Sequence, residues 1–135
     1  MGAGMPTVTE SADEPAVAPT PNGARHPCCS LYHHAVELIG RRWTGAILLV
    51  LVEEGSLRFS EIRVLVPDVS DRLLSERLKE LEAEEIVARH VYDETPVRVE
   101  YELTAKGQAL QPALKALKQW SHDYCPDTVA RRNAV

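Results

Sequence analysis

The run FSEIRVLVPDVSDRLLSERLKELEAEE, residues 59–85, constrains the fold more than any other stretch of the chain. A short helix opens near Ser60, with Glu61 well placed in its first turn, where the helix dipole favours an acid. Pro67 lacks an N–H and cannot continue that helix. Ser70 offers a capping hydroxyl to a second helix that runs to about Glu84. Only a tight turn separates the two. Two helices joined this closely, the second one amphipathic, make a helix-turn-helix.

The next segment fits beside it. Val87, Arg89 and Val91 alternate with Ala88, His90 and Tyr92; Val97, Val99, Tyr101 and Leu103 alternate with Arg98, Glu100 and Glu102. Around Asp-Glu-Thr-Pro these runs read as a β-hairpin. A hairpin straight after a helix-turn-helix is a wing, and its tip can reach the backbone or minor groove of DNA. Upstream, SLYHHAVELIG is a short helix bounded by Ser30 and Gly40, with Leu31, Ala35, Leu38 and Ile39 on one stripe. RRWTGAILLVLVEEG reads as a helix opened by Arg41 and Arg42 and ended by Gly55. It is apolar nearly all round, which places it at the centre. Downstream, Thr104 caps a last helix carrying Leu110, Leu114, Leu117 and Tyr124 near heptad spacing, with a kink expected at Pro112.

The expected fold is therefore mainly α with a small β-hairpin: a winged helix-turn-helix DNA-binding domain with N- and C-terminal dimerisation helices. It spans residues 28–125. Residues 1–27 are rich in Pro and Ala without an apolar period, cannot offset their ordering entropy, and are expected to be a disordered tail. Residues 126–135 are expected to be a flexible C-terminal tail.

The bulk properties exclude more than they assign. The longest uncharged apolar run, Trp43 to Val52, is far shorter than the roughly 20 residues that span a bilayer. No signal segment precedes it, so the expectation is a cytoplasmic protein without a membrane partner. Cys28, Cys29 and Cys125 form neither a disulfide framework nor a C-x-x-C pair, and no histidines stand at metal-ligand spacing. No metal or cofactor is expected. With no Gly-rich phosphate loop and no nucleophile elbow, the chain does not read as an enzyme.

Net charge is −5, and between Ser56 and Thr104 acids outnumber cations twelve to seven. Glu80, Glu82, Glu84 and Glu85 crowd the late end of the second helix of the pair. Acids there repel DNA in all but one docking pose, so weak non-specific binding and a strong dependence on the correct site are expected. The same acidic balance suits an alternative, a winged-helix adaptor that binds protein without reading DNA.

Residues on a helix stand about 100° apart. Projecting residues 70–84 puts Leu74, Leu78 and Leu81 on the core side and Arg72, Ser75, Glu76 and Lys79 opposite. Recognition helices meet bases with their N-terminal residues. Arg72 matches the guanine O6 and N7 pair, Ser75 and Glu76 can read bases, and Lys79 suits a phosphate. Arg77 falls beside the core stripe, where a structural ion pair is expected. Ser60, Ser70, Arg41, Arg42 and the wing residue Arg98 complete the candidate DNA-binding set.

LIGRRWTGAIL, LRFSEIR, LSERLKELEAEEIVAR and PVRVEYELTAKG together resemble the HxlR-type branch of the MarR-like winged-helix regulators, over about Cys29 to Tyr124. The last segment is the most specific. The resemblance implies a homodimeric transcription regulator joined through its first and last helices. It also implies effectors that include electrophiles and oxidants, read in some members by an N-terminal cysteine. The family's usual Cys-Pro falls one step further on, at Ser30 here, and PVRV replaces the commoner Pro-Pro before the wing arginine. Candidate redox-sensing residues are Cys28, Cys29 and Cys125. Candidate dimerisation residues are Leu31, Ala35, Leu110, Leu114, Leu117, Trp120 and Tyr124. The expected partners are double-stranded DNA, a second copy of the chain, and a small-molecule or oxidant effector, for which His33 and His34 with Trp43, Trp120 and Tyr124 form a candidate pocket. The operator and the choice between repression and activation stay open.

Overall fold

The computed structural model describes residues 25–133; the expected tail at 1–27 lies almost wholly outside the described residues. In chain order the elements are α1 (Ser30–Ile39), α2 (Thr44–Glu54), β1 (Leu57–Arg58), α3 (Phe59–Leu65), α4 (Asp71–Ala83), β2 (Val87–Tyr92), β3 (Arg98–Leu103), α5 (Ala105–Gln108), α6 (Gln111–Tyr124) and α7 (Pro126–Asn133). Contacts divide the chain into one unit ending at His33 and another beginning at His34. In the first, residues 25–29 have no regular structure, and the His33 N–H donates to the Cys29 carbonyl at 2.9 Å as α1 begins.

The second unit is built around α2, whose Ile47, Leu48 and Leu51 are fully buried. The Leu74, Leu78 and Leu81 stripe of α4 packs into the same core. Burying each such leucine is worth about 1.5–3 kcal/mol, which fixes which face of α4 remains outside. Ser70 caps α4 by accepting from the Leu73 N–H at 3.1 Å. The three strands run antiparallel in the order β1-β3-β2, so the hairpin is joined by Leu57–Arg58 as a third, edge strand. Register pairs Arg89 with Tyr101 and Tyr92 with Arg98.

Four expectations are corrected. The central helix begins at Thr44, because Trp43 takes a left-handed φ of 77° that interrupts the helical path; Arg41 and Arg42 therefore lie in the turn before it. The last helix is two helices: Pro112 stands in the first turn of α6, where its missing N–H has no intrahelical acceptor in any case, so it starts a helix instead of kinking one. Pro126–Asn133, expected as a flexible tail, is the helix α7. It carries Asp127 in its first turn and Arg131 and Arg132 in its last, the arrangement the helix dipole favours. Leu114, expected at a dimer interface, is 6% exposed and packed in the core, and Leu110 is packed against that core as well. α6 runs against α2 and must bury one face there, which leucine spacing alone does not reveal.

The sequence Thr104-Ala-Lys-Gly107 stitches the wing to the end of α4. Glu85 reverses the chain there at a φ of 62°. The Thr104 hydroxyl donates to the Glu85 carbonyl at 2.6 Å and accepts from the Gly107 N–H at 3.1 Å. Lys106 Nζ donates to the Glu84 carbonyl at 2.7 Å. Gly107 lies so close to the strand that an added Cβ would stand 2.3 Å from the Ile86 carbonyl oxygen, which only glycine permits. This accounts for the sharp end of the wing motif.

Candidate nucleic-acid interface

With the leucine stripe turned inward, α4 presents Arg72, Ser75, Glu76 and Lys79 outward from its first two and a half turns. Arg72 is 90% exposed at its side chain and reaches Glu76 at 3.2 Å. An exposed i,i+4 pair of this kind contributes only about 0.3–0.5 kcal/mol, so it does not lock the guanidinium in place. Arg63 of α3 pairs with Asp71 at the start of α4 and braces the two helices of the pair. Arg77 behaves as the projection requires: it is 15% exposed, donates Nε to the Arg42 carbonyl at 2.9 Å and pairs with Glu80 at 3.2 Å.

Arg41 and Arg42 are placed elsewhere on the surface. Arg41 reaches the same Glu80 carboxylate at 3.4 Å, and the Arg42 guanidinium lies 5.1 Å from the Trp43 ring centroid. Glu80 is eight positions beyond Arg72, about 12 Å along the helix. Arg41 thus joins Arg77 on one acid in the later half of α4, and Arg42 packs on Trp43 instead. Ser60 is exposed as the second residue of α3, and the Ser70 hydroxyl is engaged in its cap.

The wing arginine is held on three sides. Arg98 Nη2 and Nε donate to the two oxygens of Glu94 at 2.8 and 3.3 Å, Nη1 reaches Glu100, and the guanidinium lies 4.0 Å from the Tyr92 ring centroid. Hydrogen bonds from Arg98 hold the Glu94 carboxyl below its ordinary range. Glu100 is lowered too, first by the Ser56 hydroxyl at 2.9 Å and then by Arg98. Glu94 and Glu100 together raise the Arg98 guanidinium further above its already high value.

Between α4 and the wing runs a polar cleft of about 370 Å³, lined by Ser75, Leu78, Lys79, Glu82, Arg89 and Tyr101. In the sequence Arg89 is legible only as one residue of an alternating strand. Its register opposite Tyr101 carries it to this cleft. A second groove, about 210 Å³ and mostly apolar, lies under α1, with His34, Ala35, Leu38, Ile39, Ile86 and Leu110 on its walls. Of the candidate effector-pocket residues, His34 lines this groove, and His33, Trp43, Trp120 and Tyr124 do not. Trp120 and Tyr124 are instead ring neighbours, 5.7 Å apart, on the outer face of α6.

Cys28 and Cys29 are exposed and Cys125 is half-buried; all three are free thiols. Among the described residues no cluster of His, Cys, Asp or Glu suits a metal ion, and no helix is long and apolar enough to cross a membrane.

Residues 38–129 match the family model described as HxlR-like helix-turn-helix. The HTH-type transcriptional regulator YvaP of Bacillus subtilis is 48% identical over 96 residues, covering 71% of this chain and 88% of YvaP. The HTH-type transcriptional regulator YodB of the same organism is 47% identical over 103 residues, covering 75% of this chain and 91% of YodB. The solved structure of reduced YodB superposes with a TM-score of 0.65 at 44% identity, over 75% of this chain and 98% of that one. YodB has also been solved after diamide treatment, with a TM-score of 0.62 at 46% identity over 74% and 98% of the two chains. Quinone-bound YodB gives 0.62 at 41% identity over 72% and 100%. The redox regulator HypR in its reduced form gives 0.69 at 34% identity, over 75% of this chain and 99% of that one.

Proposed function

The chain belongs to the HxlR-like helix-turn-helix family of DNA-binding transcription regulators, and from that premise we propose that it acts as a homodimer on a palindromic operator, with a DNA affinity that oxidants or electrophiles change through its thiols. The observation that carries the DNA reading is the division of α4: a buried leucine stripe on one side, and exposed Arg72, Glu76 and Lys79 with half-buried Ser75 on the other, beside a wing. Arg72 selects guanine, and Glu76, once released from Arg72, accepts from a cytosine amino group.

The dimer reading rests on α6. Leu117, Trp120 and Tyr124 are 57%, 54% and 71% exposed, an apolar strip that suits a second copy of the chain. In such a dimer the two α4 helices enter successive major grooves roughly 34 Å apart. The effector reading rests on exposed Cys28 and Cys29 and half-buried Cys125, and on one relative, YodB, solved in reduced, diamide-treated and quinone-bound forms. The cytoplasm is the compartment that fits such a regulator.

Footprinting on the DNA upstream of the chain's own gene tests the reading. A protected, two-fold symmetric site is expected, with protection changed by diamide in wild type but not in a Cys28→Ser/Cys29→Ser/Cys125→Ser variant. Trp120→Glu should sediment as a folded monomer. A wild-type chain that is monomeric at micromolar concentration and protects no site would refute it.

A further inference from the structure

A helix in the major groove and a wing in the flanking minor groove lie on either side of one sugar-phosphate strand. That strand must pass over the seam between α4 and β2. The seam is the polar cleft to which Ser75, Lys79 and Glu82 come from α4, Arg89 from β2 and Tyr101 from β3.

The cations of α3, α4 and the hairpin fall into two groups; Arg58 of β1, exposed and also without an ion pair among the described residues, does not line the cleft. Arg63, Arg72, Arg77 and Arg98 are each paired with a carboxylate of the same chain. Lys79 and Arg89, both exposed, have no ion pair among the described residues, and the Ser75 and Tyr101 hydroxyls have no hydrogen-bond partner there. Two free cations and two free hydroxyls therefore meet in one cleft, where the duplex backbone has to cross.

Resting on the DNA-binding reading above, we infer that Lys79 and Arg89, with the hydroxyls of Ser75 and Tyr101, form the seat of a backbone phosphate at the helix–wing seam. The guanidinium of Arg89 offers a planar fork of donors to a phosphate, and Lys79 adds a point charge from the other wall. Neither has to leave a partner to do so. Glu82 shares the cleft and reduces its net charge to a single positive one. A lone anion is therefore held weakly, and the seat fills when the helix and the wing have both fixed the duplex. The seat positions the protein and reads no base.

The test uses the full chain and a duplex enriched from random-sequence DNA on the protein itself, with a scrambled duplex of the same composition beside it. Fluorescence anisotropy is measured over a range of salt concentrations. Lys79→Ala and Arg89→Ala should each weaken both duplexes alike, about tenfold, and flatten the salt dependence by about one unit of slope. Arg89→Lys should recover part of the loss. Lys115→Ala, which removes the same charge from an exposed position on α6, should change neither quantity. Melting followed by circular dichroism confirms that the variants are folded. Folded alanine variants that bind like wild type at every salt concentration, or a Lys115→Ala loss of the same size, would overturn the seat while leaving the DNA reading intact. A wild-type chain that enriches no duplex would overturn both.

Discussion

Arg98 and Arg89 stand on the two strands of one hairpin, three register steps apart, in opposite circumstances. At the tip, Arg98 is enclosed by Glu94, Glu100 and the Tyr92 ring. At the base, Arg89 faces a cleft without an acid paired to it. A count of formal charges treats them alike. What differs is availability: a guanidinium already bound to two carboxylates must give up those contacts before it can meet a phosphate, and an unpaired one gives up only water. The acidic balance of the whole chain is therefore a poor measure of the charge it offers to DNA. Several acids are engaged internally, at Arg98, Arg63 and the Glu80 node, and two of the cations left over, Lys79 and Arg89, line the seam.

The comparison can be inverted at the tip. Glu94→Gln with Glu100→Gln should release Arg98 and remove two acids that face the duplex. Affinity for any duplex should rise about tenfold, with a salt slope steeper by about one unit. An unchanged slope would show that the freed arginine reaches no phosphate. At the seam, Glu82→Gln should produce a smaller gain, about threefold and equal on enriched and scrambled DNA. Titration at two salt concentrations is enough to see it.

Arg98→Ala should weaken binding by a similar factor, about threefold, because it bares two carboxylates and not because a contact is lost. Adding Glu94→Gln and Glu100→Gln to that variant should therefore restore the wild-type affinity. A triple variant that stays weak would make Arg98 a direct contact. The smallest effect is on pH. The Glu94 and Glu100 carboxyls are depressed in the fold, so the stability that they give the wing is fully present above their unfolded value of about 4.3 and is lost as pH falls through their lower folded values. The Arg98 Hε resonance should be flat from neutral pH down to that point and then broaden. Loss of the signal at higher pH would show that the carboxyls are not held as described.

How much of the molecule is legible in its sequence depends on the range of the interactions concerned. The α4 stripe, the Ser70 cap and the two alternating strands are local patterns, and each is found where the sequence places it. Pro112 misleads because a proline inside an apolar repeat and a proline at a helix start look alike until Ala105–Gln108 is known to be a separate short helix that ends at Ala109. Leu114 and Leu117 are three apart on one helix and share a repeat, yet one faces α2 and the other is exposed. Heptad spacing gives a stripe, not the identity of what covers it. The candidate site shows the same limit. The outward face of α4 follows from periodicity, but which arginine is free follows from which acids the fold brings near, and this is a tertiary property.

The stitch at Thr104, Lys106 and Gly107 has a mechanical consequence. It grips the carbonyls of Glu84 and Glu85 at the far end of α4, and α6 follows within three residues of α5. α4, thirteen residues long, is a rod of about 20 Å, with the gripped end at one extreme and Arg72 at the other. On a lever of that length, a tilt of about 10° at the grip carries Arg72 through about 3.4 Å, the spacing of one base-pair step.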